Sequence, residues 1–135
     1  MSYAGDLTPQ QAWELLESNP KAILVDVRTE AEWRFVGIPD TSATGREPAF
    51  VEWTTYPSGA ANPNFLEQVS AVAEQGTPLV FLCRSGVRSI AAAEAATAAG
   101  LGPAYNILEG FEGNPDASGH RGWQGWKAAG LAWRQ

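Results

Sequence analysis

Leu79-Val80-Phe81-Leu82-Cys83-Arg84-Ser85-Gly86-Val87-Arg88-Ser89 is the stretch that decides the reading of this chain. Four apolar residues predict a short buried strand, and the alanine-rich run from Ile90 to Ala99 predicts a helix. Between them lies a turn with one glycine, two arginines and the only cysteine of the 135 residues. Backbone N–H groups at a helix N-terminus point into such a turn, and the helix dipole adds about half a positive charge there. Both effects favour thiolate over thiol. The stretch therefore predicts a reactive sulfur, Cys83, facing an anion held by Arg84, Ser85, Gly86, Val87 and Arg88. Gly86 permits a positive φ, so that successive N–H groups turn inward as a nest. A buried structural cysteine is the competing reading, and Arg84 beside it argues against that.

Working outward, helix and strand signals alternate. Thr8-Pro9-Gln10-Gln11 is an N-cap, a proline at the first helical position and a capping-box glutamine. Ala12, Leu15 and Leu16 give the face of the helix that follows. Ala22 to Val27 is an apolar run broken only by Asp26, as in a buried parallel strand. Thr29-Glu30-Ala31-Glu32 is a second capping box. Asn64 to Glu74 is an amphipathic helix with Phe65, Val69 and Val72 on one face. The helix after the cysteine runs from about Arg88 to Ala99 and ends at Gly100, and Ala104 to Leu108 is a further strand. This alternation predicts a mostly parallel sheet with helices on both faces, and a functional crevice beyond the carboxyl ends of its strands. Asp26, Cys83 and Glu109 fall at such ends. Gly37 to Pro63, with four prolines and Phe50, Trp53 and Tyr56, is irregular; it walls the pocket or adds an edge strand. Trp126 to Gly130 is a terminal helical turn.

Composition bounds the function. Hydrophobic content of 44% with 18% charged residues is that of one globular domain, 1–135, with a core over about 7–113 and a tail over 114–135. No apolar run is long enough for a membrane span, and the first residues have no secretory pattern. A single cysteine suits a reducing compartment, so the expected location is cytoplasmic. A net charge of −6 argues against a nucleic-acid partner, and no membrane partner is expected.

Cys83–Ser89 resembles the active-site loop of rhodanese-type sulfurtransferases, Cys-Arg-x-Gly-x-Arg-Ser. Asp26-Val27-Arg28 followed by Glu32-Trp33 and Gly37 is similar to the first signature of that family, and Asn106 to Phe111 to its last. The resemblance covers about Leu7 to Gly113. One departure is Ile38, where the family commonly has histidine. The resemblance implies a rhodanese-like α/β sandwich around a five-stranded, mostly parallel sheet. It also implies transfer of sulfane sulfur through a cysteine persulfide, without metal or organic cofactor. The donor would be a small anion such as thiosulfate, and the acceptor cyanide, a thiol or a protein.

Phosphatases and arsenate reductases of the related fold place five residues between cysteine and arginine. Here four separate Cys83 from Arg88, a tighter loop that suits sulfur better than phosphoryl. A non-catalytic docking module of the same fold is a further alternative, which the intact loop argues against. Asp26, Arg28, Glu32 and Ser89 are read as structural support, with Asp26 holding backbone N–H groups and Arg28 and Glu32 forming an ion pair or cap. His120, the lone histidine, lies in a glycine-rich segment far from the loop and is read as exposed or locally bonded.

Overall fold

The computed structural model describes residues 2–55, 58–74 and 76–135. At its centre is β5, Leu79–Leu82, whose four residues are all buried. It pairs in parallel with β2, Ile23–Asp26, on one side and β6, Ala104–Ile107, on the other. Beyond β6 lies β1, Gly5–Leu7, and beyond β2 lies β4, Ala49–Phe50, both parallel to their neighbours. The order β1-β6-β5-β2-β4 gives a five-stranded parallel sheet, as the resemblance implies. The edge strands are only two and three residues long, which limits the unpaired edge they present.

Alternation along the strands divides the interior into two cores, one on each face of the sheet. Val25, Leu79 and Phe81 point toward α3, Phe65–Val72, and α4, Val87–Ala98. Leu24, Val80, Leu82 and Ile107 point toward α1, Pro9–Ser18, and toward Trp126 of α5, Gly125–Ala128. The alanines of α4 let it lie close on the sheet, and Ala92, Ala93 and Ala96 are fully buried. Both capping boxes form, at Thr8–Gln11 and at Thr29–Glu32; the second starts α2, Glu30–Phe35. Gly100 (φ 81°) follows α4 in the left-handed conformation. The N–H groups of Gly100 and Leu101 return to the carbonyls of Thr97 and Ala96, the paired bonds of a Schellman end.

Two expectations about the third helix are corrected. The third helix stops at Val72 rather than Glu74, and Val72 is exposed while Ala73 is buried. Ala73 is the C-cap and has left the helical conformation (φ −138°, ψ 128°), and it packs into the core with Phe65 and Val69 in place of Val72. Gly37 to Pro63 contributes the edge strand β4, one of the two roles expected of it, and also holds β3, Ile38–Pro39, and a 3₁₀ turn at Ser42–Thr44. Tyr56 lies outside the described residues. Strand β1, too short to show a period, has no signal in the sequence.

The tail packs onto the domain. Strand β7, Trp133–Arg134, runs antiparallel to β3, and the Trp133 ring lies over Gly37 (φ 112°), where a Cβ would come within 2.9 Å of it. Trp126 is fully buried, edge-on to Trp13, with Nε1 donating to the Ala132 carbonyl at 2.8 Å. Among the described residues no helix is long and apolar enough to cross a membrane. Trp126→Ala is expected to lower stability by about 3–5 kcal/mol in urea unfolding, since it empties a core position. Trp123→Ala, which removes an exposed hydrogen bond to the Asn114 carbonyl, should cost about 0.5–1.5 kcal/mol.

Candidate active site

Cys83 follows the last residue of β5 and is almost wholly buried, with 1% of its surface exposed. Gly86 is the N-cap of α4, at φ 108° and ψ 0°, a conformation glycine enters without a Cβ clash. That turn brings the Gly86 N–H to Cys83 Sγ at 3.1 Å. The sulfur thus sits at the positive end of a 12-residue helix and accepts a backbone hydrogen bond. On its other side, Sγ lies 3.2 Å from Ser89 Oγ, in the first turn of α4. Ser89 in turn donates to Asn106 Oδ1 on β6, at 2.5 Å, and Asn106 Nδ2 donates to Asp6 Oδ1 on β1, at 3.1 Å.

The carbonyl side of the loop is held from below. Phe111 N–H donates to the Cys83 carbonyl at 2.8 Å, and Glu112 and Gly113 both donate to the Arg84 carbonyl, at 3.0 and 3.1 Å. Gly110 (φ 61°) passes so close that a Cβ there would lie 2.5 Å from the Cys83 oxygen. With these carbonyls tied down on one side, the loop turns the Gly86 amide to the sulfur on the other.

The two loop arginines do different things. Arg88 Nη1 and Nη2 donate to Glu32 Oε1 and Oε2 at 2.7 and 2.9 Å, a bidentate pair linking α4 to α2. Arg84 is more exposed and lies 3.4 Å from Glu112. It shares a surface cavity of about 370 Å³ with Glu32, Phe35 and Val36. Val87 points out beside it, 74% exposed, and Ser85 is half-buried.

The support residues sort otherwise than the sequence suggests. Arg28 does not pair with Glu32. Its Nε and Nη2 grip Asp26 at 2.7–3.2 Å, Nη2 also reaches the Gly37 carbonyl, and the guanidinium stacks 4.2 Å from the Phe111 ring centre. Both members of this pair are fully buried, so each needs the other. Asp26 holds one backbone N–H, that of Arg28, and no N–H of the cysteine loop among the described bonds. Glu32 does serve as a cap, accepting from Thr29, but its cationic partner is Arg88, since Arg28 is already committed to Asp26. His120 is exposed, its backbone N–H bonded to Asp116. The roles of Asn106, Asp6 and Gly110 do not emerge from residue spacing. The one available hint was Asn106, a polar residue inside an otherwise apolar strand. Among the described residues no cluster of His, Cys, Asp or Glu could hold a metal ion.

This fold and this loop define a class. A sequence model of the rhodanese-like domain matches residues 8–114, and the chain belongs to the rhodanese-like domain family. The crystal structure of Rv0390 from M. tuberculosis is 62% identical, with a TM-score of 0.94 and coverage of 99% of both chains. An uncharacterized Rickettsia rickettsii protein, the RP600 homolog, is 38% identical over 128 residues, covering 92% of each chain. The thiosulfate sulfurtransferase GlpE of Haemophilus influenzae is 28% identical over 111 residues, covering 80% of this chain and 85% of its own. The family thus includes sulfurtransferases among its members.

The Glu32–Arg88 pair gives a pH-dependent test. Burial works against the Glu32 carboxylate, but the Arg88 hydrogen bonds and charge outweigh it and hold its pKa below the ordinary 4.5. A depressed folded-state value contributes stability above the unfolded value, lost as pH falls through the folded one. Glu32→Gln should therefore destabilise the protein by about 1.5–3 kcal/mol at neutral pH, the worth of a charge-assisted hydrogen bond. The gap between the two proteins should narrow as pH drops below 4.5, as followed by urea unfolding at a series of pH values.

Proposed function

We propose that the chain is a sulfurtransferase in which Cys83 carries sulfane sulfur between an anionic donor and a nucleophilic acceptor. The observation that carries this reading is the placement of the sole cysteine. Its Sγ accepts the Gly86 amide at the N-terminus of α4, in a loop with only four residues between Cys83 and Arg88. A thiolate so held needs no separate general base. Its attack on the outer sulfur of thiosulfate forms one S–S bond and breaks another, with sulfite leaving. The negative charge then rests on the outer sulfur of the Cys83 persulfide. Attack on that sulfur by cyanide, a thiol or a protein acceptor releases the Cys83 thiolate and completes the cycle. The likeness to a thiosulfate sulfurtransferase supports the donor class. We place the reaction in the cytoplasm, where a lone thiol stays reduced.

In this reading the loop amides of Ser85, Gly86, Val87 and Arg88 surround the transferred sulfur, and Arg84 supplies positive potential at the mouth. Arg88 acts through the loop, since its guanidinium fork is occupied by Glu32. Arg88→Lys cannot reproduce a two-pronged bond, so it should slow persulfide formation on the order of tenfold, by loss of one charge-assisted hydrogen bond. Arg84→Lys keeps its charge and should retain most of the wild-type rate, with a dependence on salt. Single-turnover rates with thiosulfate check both; wild-type behaviour of Arg88→Lys would remove the bracing role.

The reaction itself is tested by intact mass. After incubation with thiosulfate the protein should gain one sulfur, about 32 Da, and Cys83→Ala should gain nothing, because no second cysteine diverts the persulfide into a disulfide. An unchanged mass under saturating donor, with the thiol shown to be reduced, would overturn transfer from this donor. Robust turnover of an aryl phosphate would favour the phosphatase alternative instead.

A further inference from the structure

A continuous chain of polar side chains runs from the edge strand β1 to the sulfur. Tyr3 Oη donates to Asp6 Oδ1 at 2.7 Å, and Asn106 Nδ2 donates to the same oxygen at 3.1 Å. Ser89 Oγ lies 2.5 Å from Asn106 Oδ1 and 3.2 Å from Cys83 Sγ. Cys83, Ser89 and Asn106 are all buried, so water does not compete for these bonds.

Chemistry dictates the direction of each link. A carboxylate only accepts, so Asn106 must turn its amide N–H groups to Asp6 and its carbonyl to Ser89. That carbonyl also only accepts, so Ser89 commits its single hydrogen to Asn106. What Ser89 presents to Cys83 is a lone pair. A thiol satisfies it by donating S–H; a thiolate does not.

We propose that Asn106, oriented by Asp6, is a positioning residue that holds the Ser89 hydroxyl as an acceptor toward Cys83. When the thiol gives its proton to solvent, Sγ and Asn106 Oδ1 compete for the one Ser89 hydrogen. Turning it to sulfur leaves the buried Asn106 oxygen without a donor, and keeping it on Asn106 sets a lone pair against the charge. The chain therefore opposes the Gly86 amide and the helix N-terminus, which favour the charged sulfur. In a persulfide the conflict disappears, because the charge lies on the outer sulfur and Sγ needs neither proton nor donor. The arrangement thus favours the loaded form over the bare thiolate. This inference rests on the reading of Cys83 as the sulfur carrier.

Other charged groups surround Cys83. Arg84 and Arg88 come from the loop and α4, paired with Glu112 and Glu32. Asp26 and Arg28 lie at the end of β2, and Glu109 at the exit of β6. They are common to every variant below, so differences between variants report on the polar chain.

The test is the pH profile of Cys83 alkylation by iodoacetamide. Asn106→Ala frees the Ser89 hydrogen for sulfur and should move the midpoint down by about one pH unit, tenfold more thiolate at a given pH. Asp6→Asn should move it the same way, because an asparagine at position 6 can also donate, letting Asn106 turn its N–H groups toward Ser89. This milder change keeps the test available if Asn106→Ala does not fold. In a Ser89→Ala background the Asn106→Ala shift should vanish. An unmoved midpoint in both Asn106→Ala and Asp6→Asn, or a shift undiminished without the Ser89 hydroxyl, would overturn the proposal. Alkylation needs no sulfur donor, so the polar chain and sulfur transfer stand or fall separately: the first is read from these profiles, the second from the mass of the thiosulfate-treated protein.

Discussion

The close approach of the Gly110 backbone to Cys83 and Arg84 is the constraint on which the rest of the site depends. A strand leaving a parallel sheet has free carbonyls at its carboxyl end, and a buried one must find donors. Here the donors are the N–H groups of Phe111, Glu112 and Gly113, delivered by the chain as it leaves β6. The approach is possible only because residue 110 has no side chain and tolerates a positive φ. The tail secures it in turn, with Trp126 donating to the Gly110 carbonyl and Gly125 to the Glu109 carboxylate. A loop fixed along its carbonyl edge can then turn an amide toward the sulfur without leaving its own backbone unsatisfied.

Charge around the loop is distributed in pairs rather than pooled. Arg28 and Asp26 neutralise each other in the interior, beneath a phenylalanine ring that adds a cation–π contact. Arg88 and Glu32 tie the cysteine helix to the short helix α2, which buries no residue fully and would otherwise be weakly anchored. Arg84 alone among the three lies largely in the open, where its field is screened by salt. The electropositive character of the loop therefore rests more on backbone dipoles and less on guanidinium charge than a count of arginines suggests.

Local features were legible in the sequence because local forces produce them. Thr8 and Thr29 cap their helices with the glutamine and glutamate three residues on, and Gly86 and Gly100 take positive φ where a turn must reverse. The buried strands β2, β5 and β6 announce themselves as apolar runs. What stayed hidden was set by partners far along the chain. Arg28 could have paired with Asp26 or with Glu32 by spacing alone; burial beside Phe111 decides it. Arg88 finds Glu32 across 56 residues, and Asn106 finds Asp6 across 100. Strand β1 is three residues long and acquires its identity only from β6.

That last pairing ties the chemistry of the sulfur to the order in which the chain assembles. Strand β1 has a single neighbour in the sheet, 100 residues further along the chain, and nothing to pair with until β6 is in place. Contacts of such separation carry a loop-closure entropy that must be overcome before they give any return, and they slow folding. A chain with its central strands and α4 assembled but β1 undocked would present Cys83 with Ser89 and Asn106 beside it, yet without the carboxylate that orients them. The mature reactivity of the thiol is thus a property of the fully closed chain, acquired with a contact that spans 100 residues.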